Sequence, residues 1–340
     1  MLRGPQHERR TNNKFKLPTF VLRPRSKDSD RFLAVCQAMN HWKRILSVYF
    51  FAVSLLIVSR GNIFAAEAPS PQRVVSLAPS VTETVFALGF GSRLVGVTTY
   101  CDYPAEAGRL PKIGGFMNPS LEVIVAKKPD LVIGVNTATD PAKAREMERL
   151  GLKVALISVT SLNDILTGIK SIARLMGSPQ RGEKLVGAIE ADIQYIKKRV
   201  AGAPRRPVLL AVGIRPLVVV GGSNFIDQLI TLAGGENIAG NSAQPWLNLP
   251  EEYVVAKAPQ VIIEAGMGSE RQQSGNRWGD LKSVPAVANG RVYSYQSDKI
   301  LRPGPRVGEA LAELARLIHP ECFTSPANSK PNGESRCESS

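Results

Sequence analysis

The chain has 340 residues, of which 44% are hydrophobic, and a formal net charge of +14 at pH 7. This length is sufficient for two domains with separate cores, and the composition is that of a globular protein without a low-complexity tract. The charge alone would suggest a nucleic-acid partner, but the first 65 residues hold twelve Lys or Arg against three Asp or Glu. The basic character therefore belongs to a leader, and no nucleic-acid partner is expected.

Residues 1–65 have the organisation of an export signal. A basic patch at Lys43 precedes an apolar run, Ile45–Val58, which is shorter than a membrane span of about 20 residues. Small residues follow, and Ala65 ends a motif suited to cleavage. We therefore predict a basic leader with a cleavable signal peptide, and export to the periplasm. A true start at Met39 would give a signal of conventional length, and a retained single-span anchor is the alternative.

Strand and helix patterns alternate in the first part of the exported chain. A helix start at Pro79 leads to Leu88, and a second helix runs over Pro141–Leu150. This alternation is typical of a parallel α/β lobe, which we place at residues 66–176. The predicted strands are Arg73–Ala78, Leu94–Thr98, Leu131–Gly134 and Lys153–Val159.

A long helical tract follows this lobe and then the strand pattern begins again. After a break at Gly177–Pro179, apolar residues recur at helical spacing over Gln180–Arg199, which predicts an amphipathic helix roughly 30 Å long. We predict a connecting helix within residues 177–203, a second α/β lobe at 204–320 and a disordered tail at 321–340. The elements predicted for the second lobe are Pro207–Val212, Leu217–Val220, Asn224–Leu232, Val261–Glu264, Arg291–Tyr295 and Val307–Ile318.

Two segments 130 residues apart are near copies of each other, Ser120–Ile133 and Pro250–Ile263. Each has an acid near its start, then apolar residues at helical spacing, then a Pro that ends the helix, and finally a buried strand. A repeat at this interval indicates two similar lobes rather than a solenoid. The fold class predicted is therefore α/β, with two Rossmann-like lobes, parallel sheets and a single long helix between them.

Several kinds of chemistry have no support in the exported chain. His319 is its only histidine, and its position favours a helix cap, so neither a catalytic triad nor a multi-histidine metal site is expected. Neither G-x-S-x-G nor G-x-x-x-x-G-K-[ST] occurs. Export permits one disulfide among Cys101, Cys322 and Cys337, and the three pairings stay open. We predict no enzyme activity, no metal site and no resident cofactor.

Seven motifs together resemble the periplasmic cobalamin-binding proteins of ABC importers, in the helical-backbone (class III) solute-binding family. The resemblance covers residues 72–319 and implies two lobes bridged by a rigid helix, with the ligand in the cleft between them. The motifs are Arg73–Glu83 (RVVSLAPSVTE), Tyr100–Pro104 (YCDYP), Asn118–Glu122 (NPSLE), Lys128–Asp130 (KPD), Gly234–Ile238 (GGENI), Pro245–Trp246, and Ser297–Asp298 with Arg302 and Pro305–Arg306.

The resemblance also implies roles for particular residues. One acid from each lobe, Glu122 and Glu252, would dock onto arginines of the permease; the alternative is that both only stabilise their helices. The chain departs from the family at Val135 and Val218, where relatives can carry large aromatics. The positions that match the family's corrinoid contacts are Tyr100, Phe116, Trp246, Asp298 and Arg302.

The function predicted is capture of a corrinoid and its delivery to an ABC importer, whose permease and ATPase are the partners of a monomeric binding protein. A ferric siderophore or haem is the nearest alternative. Haem would find no histidine in the cleft but could use Tyr100, and an anionic siderophore would draw on Arg302, Arg306 and Arg215. An exported α/β enzyme is an alternative of another class, for which no acid/base constellation was found.

Overall fold

The computed structural model describes residues 70–266 and 277–324. The predicted leader, the apolar run, the cleavage motif and the start at Met39 lie outside the described residues, so those predictions stay predictions. Within the described residues, no helix is both long enough and apolar enough to cross a membrane.

The first lobe is built on a four-stranded sheet of order β2-β1-β3-β4, in which every pairing is parallel. Val74 of the central strand β1 pairs with Leu94 on one side and Leu131 on the other. The parallel sheet predicted for this lobe is confirmed. Its elements are β1 (Val74–Ser76), α1 (Pro79–Ala87), β2 (Leu94–Val97), α2 (Ala105–Gly108), α3 (Leu121–Ala126), β3 (Leu131–Val135), α4 (Pro141–Arg149), β4 (Val154–Ile157) and α5 (Leu162–Leu175).

The long helix α6 (Pro179–Arg199) has 21 residues, which corresponds to about 32 Å. Its apolar stripe, including Ile189 and Ile193, is buried in a core cluster that draws residues from both lobes. The helix packs on α5 of the first lobe and on the last long helix of the second, where a Cβ at Gly308 would lie 3.1 Å from Asp192. The predicted helix is confirmed, and its apolar stripe contributes to a core shared by the two lobes.

The second lobe is built on a six-stranded sheet of order β10-β9-β5-β6-β8, with β7 paired beside β5. Its inner strands Leu209–Ala211 and Val261–Ile263 are fully buried, with 0% exposure. Its elements are β5 (Arg206–Gly213), β6 (Val218–Val220), α7 (Phe225–Leu232), β7 (Gly235–Asn237), β8 (Trp246–Asn248), α8 (Glu251–Lys257), β9 (Val261–Glu264), α9 (Pro285–Ala288), β10 (Val292–Ser294) and α10 (Val307–Ile318).

This second sheet differs from the predicted parallel sheet in one respect. Strand β6 runs antiparallel to β5, and β8 runs antiparallel to β6. Only four residues separate Gly213 from Val218, and such a connection can join neighbouring strands only as a hairpin. The β7 and β8 strands were not predicted, because three-residue segments are too short to show an alternation.

The two repeated segments adopt the same backbone. Among the described residues, the only non-glycine residues with positive φ are Lys128 (46°) and Ala258 (47°), which occupy equivalent positions before a proline. A proline disfavours the helical conformation in the residue before it, so both helices end there. In each lobe the residue after the proline donates a backbone hydrogen bond to the central part of the sheet, from Asp130 N to Arg73 O and from Gln260 N to Pro207 O. The predicted duplication is therefore visible in the structure.

The ordered chain continues past the predicted boundary at residue 320. Arg199 donates to the carbonyl of Cys322, and the guanidiniums of Arg199 and Arg316 lie over the Phe323 ring at 5.5 and 5.6 Å. These contacts hold the segment to Thr324, while residues 325–340 lie outside the described residues, so the predicted disorder there stays untested. Cys322 is disulfide-bonded to a partner outside the described residues.

Cys101 is a buried free thiol, which leaves it out of the single disulfide that was expected. His319 is fully buried at the end of α10, where its Nδ1 lies 3.0 Å from Glu321 and its Nε2 lies 3.2 Å from the carbonyl of Gly234. The histidine is therefore part of the helix end, as predicted. A possible metal-ligand group of His319, Glu321 and Cys322 lacks a free thiolate, because Cys322 is in a disulfide.

Candidate ligand site and docking surfaces

The two lobes meet at the carboxyl ends of their parallel strands, where open α/β sheets bind ligands. The loop after β2 and the start of α1 come from the first lobe, and the segment after β10 comes from the second. The approach is close, because a Cβ at Gly304 would lie 3.3 Å from Ser80. Residues of both lobes are therefore within reach of one ligand.

Five charged side chains join the lobes here, and we call them the interlobe ion cluster: Glu83, Asp102, Asp298, Arg302 and Arg306. Arg302 donates from Nη1 to Glu83 Oε1 at 2.7 Å and from Nη2 to Asp102 Oδ1 at 2.7 Å. It also pairs with Asp298. Arg306 donates from Nε and Nη2 to the two oxygens of Glu83, at 2.8 and 2.6 Å. Glu83 therefore receives both guanidiniums of the opposite lobe.

The centre of the cluster is dry. The Glu83 side chain is 1% exposed and that of Arg302 is 8% exposed, whereas that of Asp102 is 70% exposed. Burial alone would lower the pKa of both guanidiniums, but hydrogen bonds and charge pairing with Glu83 outweigh it and raise the pKa of each above its ordinary value. Both arginines are therefore charged, and removing one buried partner would leave an unpaired charge inside the protein.

A second network holds the segment that carries Asp298 and Arg302. Lys299 pairs with Glu313 at 2.6 Å and with Glu309 at 3.0 Å, both on α10, and Tyr295 donates to Glu313. Burial would lower the pKa of Lys299, but the bonds from Glu313 and Glu309 outweigh it and raise this pKa. The segment is thus fixed to α10 at both ends.

Replacing Glu313 with Gln is expected to reduce the acid sensitivity of the fold. Burial would raise the pKa of Glu313, but the hydrogen bonds from Lys299 and Tyr295 outweigh it and lower this pKa below the ordinary value. A depressed folded-state pKa contributes stability above the unfolded-state pKa, and that stability is lost as pH falls through the folded-state pKa. Urea unfolding between neutral and acid pH should therefore give a shallower decline for Glu313→Gln. An identical slope would contradict the assignment.

Two of the predicted aromatic contacts, Tyr100 and Phe116, lie on neighbouring loops. Thr99 N donates to Gly114 O at 3.0 Å, so the loops carrying Tyr100 and Phe116 run side by side. Tyr100 is 59% exposed, and its carbonyl accepts from Arg302 at 3.3 Å. Phe116 is half-buried against the main core. The structure therefore brings Tyr100, Asp298 and Arg302 together, and it places Phe116 on the loop next to that of Tyr100.

Trp246 is placed differently. It begins β8, the edge strand of the second sheet, opposite Val220, and it is 43% exposed. Its assignment to the ligand stays a prediction. The two departures from the family are also separate: Val218 begins β6, and the buried Val135 ends β3, where it lines a narrow cavity of about 10 Å³ together with Pro303 of the second lobe.

The two predicted docking acids occupy matching exposed positions. Glu122 and Glu252 lie in the first turns of α3 and α8, and in the part of the chain that is described neither carboxylate forms an ion pair. Val125 and Val255, one helical turn later, are both 39% exposed. Each lobe therefore presents an acid beside an exposed aliphatic side chain.

Both helix starts lie on the cleft side of their sheets. The backbone N–H of Ser120, which caps α3, donates to the carbonyl of Ile113 at 2.7 Å. The N–H of Ile113 in turn donates to the carbonyl of Val97, at the carboxyl end of β2. In the second lobe Leu249 N donates to Leu217 O at 3.1 Å, in the turn after β5. Each acid is therefore near the carboxyl-end edge of its own sheet, which is the edge at which the two lobes meet.

Comparison with known proteins decides the family. A profile described as "Periplasmic binding protein" matches residues 74–299, which is most of the described chain. The chain belongs to the periplasmic binding protein family. It is thus a binding protein rather than an enzyme, as the sequence predicted.

Relatives of this periplasmic binding protein carry a more specific name. A vitamin B12-binding protein of Vibrio parahaemolyticus is 31% identical over 245 residues, covering 72% of this chain and 88% of the relative. A vitamin B12-binding protein of Salmonella paratyphi A is also 31% identical, over 266 residues, covering 78% of this chain and 95% of the relative.

Solved structures share the fold of this periplasmic binding protein. The periplasmic vitamin B12 binding protein of Vibrio cholerae has a TM-score of 0.67 at 25% identity, covering 75% of this chain and 99% of that one. A periplasmic haem-binding protein from Roseiflexus has a TM-score of 0.67 at 30% identity, covering 74% of this chain and 99% of that one. The two-lobed fold predicted from the sequence is therefore confirmed.

Sequence reasoning missed part of the site. Glu83 was named only as the last residue of a motif, although an acid between the buried Val81 and Val85 is a signal of a buried charge that needs a partner. Asp102 was quoted only as part of a motif, and Arg306 was quoted in a motif and considered for an anionic ligand but not as a partner of Glu83. The Arg306 guanidinium lies 3.8 Å from the centre of the Tyr103 ring. Nothing in the sequence around Tyr103 indicates this contact.

Proposed function

We propose that this periplasmic binding protein captures a corrinoid such as cobalamin between its lobes and delivers it to the permease of an ABC importer. The observation that carries the proposal is the 31% identity to vitamin B12-binding proteins over most of their length. The exposed Tyr100 and Trp246 offer broad apolar faces suited to a large ring. The ligand is cargo, and we propose no resident cofactor.

The cleft favours a corrinoid over an anionic chelate. Arg302 and Arg306, the cations that an anionic siderophore would need, are already engaged by carboxylates. Arg215 is exposed in the turn after β5, but a single exposed charge contributes little. Because the cleft cations are occupied, recognition has to rely on apolar contact.

Haem is the second candidate, and the likeness to the Roseiflexus haem-binding structure supports it. Tyr100 would offer a phenolate to the iron. His319 is at the far end of the 12-residue helix α10 from Arg306, about 18 Å away, and is enclosed by Gly234 and Glu321. It is therefore not in a position to ligate iron in the cleft.

Purified protein is expected to retain cyanocobalamin after desalting, because the interlobe site buries a large ligand from both sides. The visible spectrum of the desalted protein identifies the bound chelate, and parallel incubations with haemin and with a ferric siderophore serve as comparisons. Titration calorimetry should give one cobalamin per chain. Retention of haemin alone would support the second candidate, and retention of none of the three would contradict chelate binding.

The partners and location follow from the same proposal. Glu122 and Glu252 would contact basic residues of the permease from both sides of the cleft mouth, so that the importer senses both lobes at once. We propose that the protein works as a monomer in the periplasm after removal of its leader, and N-terminal sequencing of the exported protein would locate the cleavage site.

A further inference from the structure

We propose that Asp102 is a specificity-determining residue that keeps anionic chelates out of the cleft by occupying the solvent-facing edge of Arg302. This inference rests on the proposed function, since it concerns the same site. The Asp102 carboxylate occupies the position on Arg302 that an acidic group of a ligand would otherwise take. Asp102 therefore competes with anionic ligands for Arg302.

The geometry separates the inner and outer edges of the Arg302 guanidinium. The inner nitrogen, Nη1, bonds the 1% exposed Glu83 at 2.7 Å. The outer nitrogen, Nη2, bonds Asp102 at 2.7 Å and also contacts Asp298 and the carbonyl of Tyr100. Of the two carboxylates on Nη2, Asp102 is the solvent-facing one, with its side chain 70% exposed against 16% for Asp298. A carboxylate of an incoming ligand would meet Nη2 first, and it would find Asp102 already there.

Asp102 is also dispensable for joining the lobes. Glu83 alone receives both Arg302 and Arg306 in the buried centre, and the loop of Asp102 is held independently. The ammonium of Lys112 donates to the carbonyls of Cys101 and Ala107 at 3.0 and 3.2 Å. A solvent-exposed carboxylate on an already paired arginine adds little stability, so its effect should fall on the ligand.

The charge balance of the cleft points the same way. The interlobe ion cluster has three carboxylates against two guanidiniums, which leaves it with one net negative charge. Lys299, the nearest cation on the same segment, is engaged by Glu309 and Glu313. A haem with its two propionates, or an anionic siderophore, would therefore meet repulsion where a ligand without acidic groups meets none.

The test is a charge series measured with two chromophores, haemin and cyanocobalamin, on the full exported chain. Wild type, Asp102→Asn and Asp102→Asn/Asp298→Asn carry cluster charges that rise by one at each step. Haemin affinity should rise at each step, by about tenfold for Asp102→Asn, because the solvent-facing carboxylate on Arg302 Nη2 is then removed and a propionate can approach the guanidinium without like-charge repulsion. The gain should shrink at high salt.

Glu106→Gln is the matched control. Glu106 is an exposed acid four residues further along the chain, in the first turn of the short helix α2, so its removal changes the net charge equally without touching Arg302. It should leave haemin affinity unchanged. The readout is the haemin affinity of each variant, which a general loss of structure would not raise, and cobalamin affinity is measured in parallel. In Asp102→Asn the amide oxygen could still accept a hydrogen bond from Arg302. Asp102→Ser is therefore a second variant, in which no amide replaces the carboxylate.

Two outcomes would overturn the inference. One is a haemin affinity in Asp102→Asn equal to that of wild type and Glu106→Gln. The other is an equal gain in Glu106→Gln, which would reduce the effect to overall charge. Neither depends on cobalamin binding: if wild type binds no cobalamin, the proposed function fails, while the haemin series still decides the role of Asp102.

Discussion

Replacing both Glu122 and Glu252 with alanine is expected to lower vitamin uptake by at least about tenfold while leaving the affinity for cobalamin unchanged. The two carboxylates are exposed and form no ion pair within the described residues, so their removal costs the isolated protein little. In a complex with the permease, each would be desolvated against a basic partner, where losing one member of a charge pair costs far more than at a free surface.

The measurement is transport in vesicles that contain the importer, with titration calorimetry on the same protein samples. Each single variant should give a partial loss, because the other lobe still docks. Glu148→Ala/Glu190→Ala is the matched control, since both acids are exposed on other helices, α4 and α6. It should transport normally. Loss of cobalamin binding in Glu122→Ala would show that this acid belongs to the ligand site.

The exposed valines next to the acids provide a second probe of the same surface. An exposed ion pair by itself is weak, and interface energy concentrates where an apolar neighbour excludes water from the charge. Val125 and Val255 lie one turn from the acids in both lobes with equal exposure. If the acids dock on the permease as proposed, these valines would shield the two carboxylates from solvent.

Glu83→Ala is expected to destabilise the protein by about 3–5 kcal/mol, because two buried guanidiniums then lose their shared carboxylate. Arg302 would keep Asp102 and Asp298, but Arg306 would lose both of its hydrogen bonds to Glu83. A loss of this size should lower the melting temperature by on the order of 10 °C. Urea unfolding and calorimetry measure it directly.

A double-mutant cycle separates this ion cluster from ordinary packing. Removing Arg306 together with Glu83 should recover part of the loss, since one unpaired charge then disappears. Glu106→Ala, an exposed acid nearby, should change stability by less than about 0.5 kcal/mol. If Glu83→Ala were equally mild, the cluster would be hydrated and would not join the lobes. Cobalamin affinity should fall in Glu83→Ala, because the two walls of the cleft lose their common anchor.

Much of the fold was readable because its signals are local. The helices α6 and α10 follow from apolar spacing over 12 or more residues, and α10 begins and ends at the predicted residues, Val307 and Ile318. The repeat predicted two similar lobes, and the shared left-handed residues Lys128 and Ala258 show that the copies kept the same backbone. Each of these features depends on neighbours within a few turns of chain.

What only the tertiary structure decided involves partners that are distant in sequence. Glu83 and Arg302 are separated by 219 positions, and no local pattern indicates which acid an arginine will meet. The antiparallel direction of β8 depends on its pairing with β6 (Val218–Val220), the second strand of the β5–β6 hairpin. The sequence determined the lobes, the helix between them and the acids on their rims. The structure decided that the cleft cations are already paired, because pairing depends on long-range packing that periodicity does not encode.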